Sequence, residues 1–454
     1  LRGEHLGYRV QDTTLLPSTR LRVQLMAAPL SLAEVEISDA PLISVARVGD
    51  RAGHMKLNDV SNSHLPGNNS NLIFNNLRMY PGITAAGESV SDYIIWGSYP
   101  GQNYITFDGI TLFSSWGINQ EFGRVNPALV KNVEVYKGGY QVPYGDRIGG
   151  VVMMEGREGN RQRQEADLQL TNQMASGYVN VPLFQQKASL QLAARSTFAQ
   201  TWQPFSDLQN TQVGDVFTKS NYRDVNVKLS ADLSPRDRLV FSFLGSGDFY
   251  AATFDRRRRD TNSDNSVQLV TSSQVGSSLR YTRTWGKGGL TQVLASQSRY
   301  LPTRTLSAFF LEGEMRADRF QTQWSNTIDE QRVSVTHTLP SRGGHQLSAE
   351  VGFIGQASKV DTETPGRVRE RPDQFEGRVS GYLLDAIQIM PGWSLDLGLK
   401  ADVVPRRDTV FLQPRLTTTY SLSDQWRFNA AWGYYNQFLA LTPYTDAVGN
   451  QTEV

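Results

Sequence analysis

The chain has 454 residues, 39% hydrophobic and 20% charged, an ordinary globular balance that excludes a disordered protein. Its 45 Lys and Arg against 44 Asp and Glu leave a formal net charge of +1, so bulk electrostatics call for neither nucleic acid nor an acidic polymer. Without cysteine, disulfides, thiol catalysis and cysteine-held zinc or iron–sulfur centres are excluded.

No stretch approaches the ~18 consecutive apolar residues of a spanning helix, and no basic-then-apolar leader stands before Leu1, so the chain reads as mature or trimmed. A soluble protein and a membrane β-barrel both stay open, because barrel strands carry an alternating pattern that hydropathy averages hide.

In the first forty residues, Leu21, Val23 and Leu25 mark an alternating strand and residues 32–37 a second. From there to about residue 160 the chain is Gly-rich, with short strands and turn signals at Asp108-Gly109, Gly138-Gly139 and Gly149-Gly150, which predicts a compact α+β domain. From about residue 163 onward, apolar and polar residues alternate in segment after segment, predicting strands. Leu395, Leu397 and Leu399 against Asp396, Gly398 and Lys400 give one aliphatic and one polar face, as do Phe428, Ala430, Trp432 and Tyr434 against Arg427 and Asn429.

A β-sandwich would alternate in the same way, but the connections argue for a barrel. One set is tight, at residues 183–186, 234–237, 286–289, 341–344, 390–392 and 423–425; the other is long and polar, at 200–222, 249–266, 301–317 and 358–376. Short turns on one rim and long loops on the other are the habit of outer-membrane barrels. About thirteen strands fit this pattern.

Chemistry-bearing constellations are sparse. The five histidines have no paired ligand spacing, and neither a GxSxG elbow nor a GxxxxGK[ST] loop occurs. Asp260, Asn262 and Asp264 begin a calcium-loop pattern, but Asn265 replaces its Gly and Thr271 its closing Glu, so a solvated loop is expected. Arg256 to Arg259 read as a solvated charge run. No enzyme activity, metal or cofactor is expected.

Leu77-Arg78-Met79-Tyr80-Pro81-Gly82, Phe107-Asp108-Gly109, Val133-Glu134-Val135-Tyr136-Lys137-Gly138-Gly139 and Tyr144-Gly145-Asp146 with Gly149-Gly150-Val151 follow one another as in the plug of TonB-dependent receptors, which this chain resembles. Pro81-Gly82 and Asp108-Gly109 make reversals, and Val133 and Val135 supply a strand. Residues 224–239, 381–399, 414–416 and 431–435 are similar to early barrel hairpins of the Bacteroidetes-type branch, and Gly7-Tyr8 with residues 32–37 to the end of a carboxypeptidase-regulatory-like domain.

The resemblance implies a membrane β-barrel, about 13 of an expected 22 antiparallel strands being present, with an α+β plug domain inside the lumen. An open edge in hydrocarbon would leave backbone groups unpaired, so the chain is expected to be a portion of a larger protein or to be completed by another polypeptide. The expected partition is residues 1–38 for the regulatory-like end and leader, 39–160 for the plug and 161–454 for the first part of the barrel.

On the same resemblance, ligand contacts fall on the outward plug apices, at Thr84, Glu88 and Ser91 and at Phe113, Trp116 and Gln120. Leu32, Ala33, Glu34, Val35, Glu36 and Ile37 form the candidate TonB box, an extended apolar–acidic segment able to add as a strand to a partner sheet; its alternative is the closing strand of the small N-terminal domain. The motif residues Arg78, Pro81, Gly82, Gly97, Asp108, Gly109, Lys137, Gly138, Tyr144 and Gly145 are expected to hold the plug's fold.

One departure bears on function. Family plugs commonly carry an Arg-Gly pair where this chain has Trp96-Gly97, and such plug cations, here Lys137, meet barrel carboxylates. A Trp cannot donate a bidentate pair, so Trp96 is expected to pack against its neighbours. The implied function is TonB-dependent active import of a scarce nutrient (siderophore, heme, vitamin, saccharide or peptide) across the outer membrane of a Gram-negative bacterium. The implied partners are the TonB-ExbB-ExbD complex, outer-membrane lipid, and a lipoprotein or other envelope subunit. The alternative is a transport-inactive structural or assembly subunit of an envelope complex.

Overall fold

The computed structural model describes residues 2–3, 11–12, 46–48, 51–58, 77, 81–85, 93–98, 100–115, 122–198, 215–257, 262–286, 288–312, 315–364, 367–370, 374–423, 425–439, 443–445 and 451–453. The chain divides into two units at residues 44 and 45. In the first, β1 (Arg2–Gly3) and β2 (Gln11–Asp12) pair antiparallel. The candidate TonB box, residues 32–37, lies outside the described residues.

The second unit begins with a domain of short strands: β3 (Ala46–Val48), β4 (His54–Asn58), the hairpin β5 (Ile83–Ala85) and β6 (Tyr93–Ile95), then β7 (Tyr104–Phe107), β8 (Ile110–Thr111), β9 (Val130–Tyr136) and β10 (Val151–Gly156). Six of them form one mixed sheet in the order β3-β4-β9-β10-β7-β8, with β10 parallel to β7 and antiparallel to β9. The inner positions of β9, Val133 and Val135, are buried against Leu57, Val152 and Met154 in a single apolar core.

A second sheet follows: β11 (Glu165–Leu170), β12 (Met174–Leu183), β13 (Ala188–Thr197), β14 (Asp215–Asp232), β15 (Asp237–Arg257), β16 (Asn262–Thr284), β17 (Leu290–Glu312), β18 (Met315–Thr338), β19 (His345–Thr364), β20 (Arg367–Glu370), β21 (Gln374–Met390), β22 (Trp393–Val404), β23 (Thr409–Ser421) and β24 (Arg427–Gly433). Each pairs antiparallel with the next along a thirteen-strand path, β20 lying off it against β19. Beyond β24, β25 (Pro443–Thr445) and β26 (Gln451–Glu453) pair with each other.

The two faces of this sheet are inverted relative to a soluble protein. On β13, Ser189, Gln191 and Arg195 are buried while Leu190 and Leu192 are exposed; on β14, Asn226, Lys228 and Ser230 are buried while Val225 is exposed. On β22, Asp396, Lys400 and Asp402 are buried whereas Leu397 and Leu399 are more than 40% exposed. Leaving a large apolar face to water while burying charge would be unfavourable in a sandwich, and it is what hydrocarbon requires. On β22 Leu397 and Leu399 are on the exposed apolar face, Leu395 is half-buried and Lys400 is on the inner face. On β24 every residue from Arg427 to Trp432 is exposed, so exposure does not place Arg427, but Ala431 abuts plug Gly139, which sets Phe428 and Trp432 outward. Asn429 accepts from the inner Thr419 at 2.8 Å, which sets Asn429 inward too.

The polar face curves around the first domain, since nine strands, β13 to β18 and β21 to β23, meet it through Arg195, Lys228, Ser242, Ser272, Ser298, Glu330, Arg378, Asp396 and Arg415. The domain therefore lies within the sheet's concavity. Two wall glycines permit close approach: a Cβ on Gly276 would meet Ile110 Cγ2 at 2.3 Å, and one on Gly398 would meet Val142 Cγ1 at 2.5 Å.

The short turns stand where expected, joining β12 to β13, β14 to β15, β16 to β17, β18 to β19, β21 to β22 and β23 to β24 on one rim. The long polar connections do not. Residues 249–266 and 301–317 were expected as loops, yet β15 runs to Arg257 opposite Ser263, and β17 runs to Glu312 opposite Met315. Likewise β14 starts at Asp215 and β19 continues to Thr364. Asp264 and Thr271, read as parts of a solvated loop, lie in β16. An antiparallel ladder needs only backbone donors and acceptors, so pairing continues past the point where hydrocarbon stops imposing alternation.

Leu399→Arg should lower the stability of the folded protein by about 2–4 kcal/mol if the site lies at the bilayer midplane. Arginine at Gln185, in the short turn after β12, should leave it unchanged. Heat-modifiable gel migration across a urea series measures both; equal midpoints for the two variants would place Leu399 outside hydrocarbon.

Candidate functional site

The chemistry of this molecule is concentrated where the inner domain meets the polar wall. Two reversals aim carboxylates at it. Asp108, at φ 49°, precedes Gly109 at φ 87°, and Asp146 has φ 70°, the left-handed region that Asp tolerates better than most side chains. The Asp108 carboxylate takes Lys228 Nζ at 2.8 Å, Ser242 Oγ at 2.8 Å and the Gly156 backbone N–H at 3.0 Å. Lys228 also donates to the Gly156 carbonyl at 2.8 Å, and Ser278 to the Asp108 carbonyl at 2.9 Å. Asp108 and Lys228 are both almost fully buried, so the pair is satisfied by hydrogen bonds on each side rather than by water.

A second contact grips residues 122–126. Arg195 donates to the carbonyls of Gly123 and Val125 at 2.7 and 3.2 Å while pairing with Asp224 at 2.5 Å. Tyr222 donates to the Gly123 carbonyl at 2.9 Å and stacks on Phe122. Asn126 caps the turn before β9 and donates to Asp224 at 3.1 Å. Between them Arg124 reaches into the wall, bonding Ser272 and Ser246, lying 3.6 Å from Asp248 and 5.3 Å from the Tyr300 ring centroid. Apart from Asp224, which opens the hairpin segment 224–239, none of these residues stood out in the sequence, because an isolated Arg between Gly123 and Val125 has no periodic signature.

The third contact centres on Asp146, which meets Arg332 at 2.5 Å and Arg378 at 2.7 Å. Burial alone would raise its carboxyl, but Arg378, Lys400, Arg332 and Arg147 together hold it well below the usual carboxylate range. Arg415 donates to the carbonyls of Gln141 and Tyr144, and Gln141 donates to Asp396 while accepting from Arg51 at 2.6 Å. Thr111 donates to Glu330 at 2.6 Å, and its carbonyl accepts from Gln274 and Ser298.

Residues 55–151 match the model of the TonB-dependent Receptor Plug Domain family. The inner domain is a TonB-dependent receptor plug. A variant of the ferric enterobactin receptor of Pseudomonas aeruginosa, solved with enterobactin, superposes with a TM-score of 0.59 at 16% identity over 86% of this chain and 64% of its own. The siderophore receptor PirA of Acinetobacter baumannii gives 0.57 at 15% identity, over 82% and 59%. The outer membrane transporter YddB of Escherichia coli gives 0.60 at 14%, over 85% and 61%. The chain thus spans somewhat under two thirds of the length of each, and at these identities the likeness is one of fold, plug in barrel. No curated protein sequence matches it. A plug of this family inside a polar-lined, apolar-faced antiparallel wall places the chain in the outer membrane of a Gram-negative bacterium.

Of the plug residues singled out in the sequence, Thr84 is exposed in the middle of β5 and Phe113 is buried against Tyr300 and Ile328; Glu88, Ser91, Trp116, Gln120 and Arg78 lie outside the described residues. Pro81 accepts from Lys137 Nζ at 3.0 Å through its carbonyl, and Lys137 lies 5.7 Å from the Trp96 ring centroid. Trp96 itself packs on plug residues Gly82 and Gly138, with Gly97 beside it in the same turn, and is 64% exposed. Among the described residues the plug cations that meet wall carboxylates are Arg124 and Arg51, and plug carboxylates Asp108 and Asp146 meet wall cations, the reverse polarity to that expected of Lys137. Tyr144 stacks near Tyr136, and Gly145 leaves room for Lys400.

Lys228→Met should weaken plug docking by about 3–5 kcal/mol, because it strands a buried carboxylate. Combining it with Asp108→Asn should recover most of that loss, read as the urea concentration at which the plug becomes protease-sensitive. A double variant as weak as the sum of the singles would show that the two groups act independently.

Asp146 supplies a pH test. Its folded pKa is depressed, so its contribution is fully present above the ordinary carboxyl value of about 3.9 and is lost only as pH falls below that, through the folded value. Protease protection of the plug should stay level from pH 7 to roughly pH 4 and be lower throughout that range in Asp146→Asn. Protection that declines between pH 6 and roughly pH 4 in the unaltered protein would contradict the assignment.

Proposed function

We propose that this protein imports a scarce nutrient across the outer membrane by TonB-driven rearrangement of the plug, with residues 1–38 as regulatory-like end and leader, 39–160 as plug and 161–454 as the first part of the barrel. The observation that supports it most is the chemistry of the plug–wall seam. Hydrogen bonds from Ser242, Ser278, Ser298, Gln274 and Arg415 to plug backbone and carboxylate groups make up much of it. Each neutral bond of this kind can be exchanged for one to water at a net cost of about 0.5–1.5 kcal/mol, and those made by Arg415 or to the Asp108 carboxylate at about 1.5–3 kcal/mol. A seam of that kind keeps the lumen closed at rest and lets part of the plug slide past the wall once water follows it.

Ligand would arrive from the side of the long strand ends and meet Thr84, Glu88, Ser91, Phe113, Trp116 and Gln120. Siderophores are the ligand class named for two of the structurally similar receptors, and they head the list of substrates to try. Residues 32–37 are our TonB box, with TonB-ExbB-ExbD as the energy-coupling partner, outer-membrane lipid around the wall and a lipoprotein as a further partner. The scaffold alternative drew on Trp96 lacking a guanidinium; with Asp108, Arg124 and Asp146 all tied to the wall, Trp96 no longer favours it.

The test is accumulation of labelled ferric siderophores, heme, cobalamin, saccharides and peptides by cells whose only copy is this protein or Val35→Pro, which removes one backbone donor. Import of one of these, abolished in Val35→Pro with surface binding and folded yield retained, is the expected result. Accumulation of none of them, or uptake unaffected by loss of TonB, would return the protein to the scaffold class.

A further inference from the structure

The ladder of β24 stops at Gly433, where the Tyr434 N–H closes on the Pro414 carbonyl at 3.1 Å, and the chain then turns into the lumen. The next five residues are tied at every step. The Tyr435 ring lies 4.3 Å from the Arg415 guanidinium and edge-on to Tyr140 of the plug. The Asn436 N–H donates to Gln413 Oε1 at 3.3 Å, and Gln437 Nε2 to the Gly101 carbonyl of the plug at 3.2 Å. Phe438 sits 4.3 Å from the Arg378 guanidinium and edge-on to Phe411. Leu439 packs on Phe113, Tyr300 and Ile328. A segment of six residues thus crosses from β23 to β17, several strands away around the wall, and touches the plug at three points, Tyr140, Gly101 and Phe113.

Its height is telling. Phe411, Arg378, Tyr300 and Ile328 all lie far from the short-turn ends of their strands, at Ser421, Met390, Leu290 and Thr338. Asp396, Lys400 and Arg415 lie nearer that rim. The two aromatic rings cover the guanidiniums of Arg378, which with Arg332 grips Asp146, and of Arg415, which holds the Gln141 and Tyr144 carbonyls beside it. Flat rings over guanidinium faces leave the in-plane N–H groups to the carboxylate and carbonyl acceptors while keeping water off the open face.

We propose that residues 434–439 are a clasp that seals the Asp146 cluster on the side of the long strand ends, and that its release admits water to the plug–wall seam there. The clasp requires the plug to sit in the wall; it requires neither ligand nor TonB. Its contacts suit release, since ring-over-guanidinium and single amide bonds are each replaceable by water, whereas the Asp108–Lys228 contact beneath the opposite strands is shut by four bonds.

Because the chain has no cysteine, one introduced thiol reports unambiguously. Ser380→Cys places it on the inner face of β21, next but one to Arg378 and toward the short-turn rim; Ser242→Cys places a control beside Asp108. Cells bearing the full chain are treated from outside with a charged, membrane-impermeant methanethiosulfonate. With Phe438→Ala the thiol at 380 should label roughly tenfold faster than without it, and with Phe438→Tyr at the original rate. The thiol at 242 should stay slow in both.

Equal rates at 380 with and without Phe438→Ala overturn the clasp. Acceleration at both thiols also overturns it, because the plug has then loosened as a whole. Should Phe438→Ala not reach the membrane, Gln437→Ala cuts the tie to Gly101 without opening a void, and the same comparison applies. Labelling without any ligand separates this outcome from the import reading, which can fail while the clasp stands.

Discussion

Everything in this structure follows from one requirement: within hydrocarbon, a backbone N–H or C=O has no partner but another backbone group. An antiparallel ladder meets it, and the pleat then divides each strand into two faces with opposite duties. Leu397 and Leu399 take the lipid while Asp396, Lys400 and Asp402, one residue out of phase, are pressed inward. A wall of that composition cannot close on itself dry, because its inner face carries Lys228, Arg378 and Arg415 as well as their acceptors. The plug is the counterpart that this inner face needs, and its carboxylates and carbonyls stand where the wall's donors point.

The way those contacts are made has a cost that sets their strength. Asp108 and Asp146 are held at positive φ, which most L-residues avoid, and both are desolvated. Neither would be stable unless over-determined by several partners, and each has them: Lys228, Ser242 and the Gly156 N–H for the first, Arg332 and Arg378 for the second. Buried pairs of this sort add less net stability than their number suggests, but losing one member is severe. They therefore act as registry pins, fixing where the plug sits along the wall, while serines and backbone carbonyls fill the seam between pins.

How much of this could be read in the sequence divides along the same physical line. The lipid-facing pattern was legible, because a period of two over Leu395, Leu397 and Leu399 or over Phe428, Ala430 and Trp432 has one cause. Strand extent beyond the apolar band was not: between Thr253 and Val267 the side chains carry no instruction, and the ladder is set by the neighbouring strand's length. The plug's turns were legible through Asp108-Gly109 and Pro81-Gly82, but the same Asp108 was visible only as a turn former, since its partner Lys228 is 120 residues away. Arg124 and Asn126 gave no local signal at all. Trp96 drew attention as the missing cation of a lock whose work here is done by other residues.

The arrangement of pins also orders how the plug would yield to force. A pull delivered through the residues before Ala46 reaches β3 first, an edge strand paired with β4 by only three residues, and next β4 along β9. Edge strands loaded from one end separate a bond at a time, whereas the strands pinned to the wall by Asp108 and Thr111, β7 and β8, lie at the far side of the sheet. The first resistance near the wall is Arg51, which reaches Gln141 and stands 3.7 Å from Asp396. Arg51 is half exposed, so its contacts are screened and exchange readily with water. On the import reading proposed above, yielding would therefore begin at β3, β4 and the Gln141 loop, where the ties are fewest, before it reached the Asp108 and Arg124 contacts.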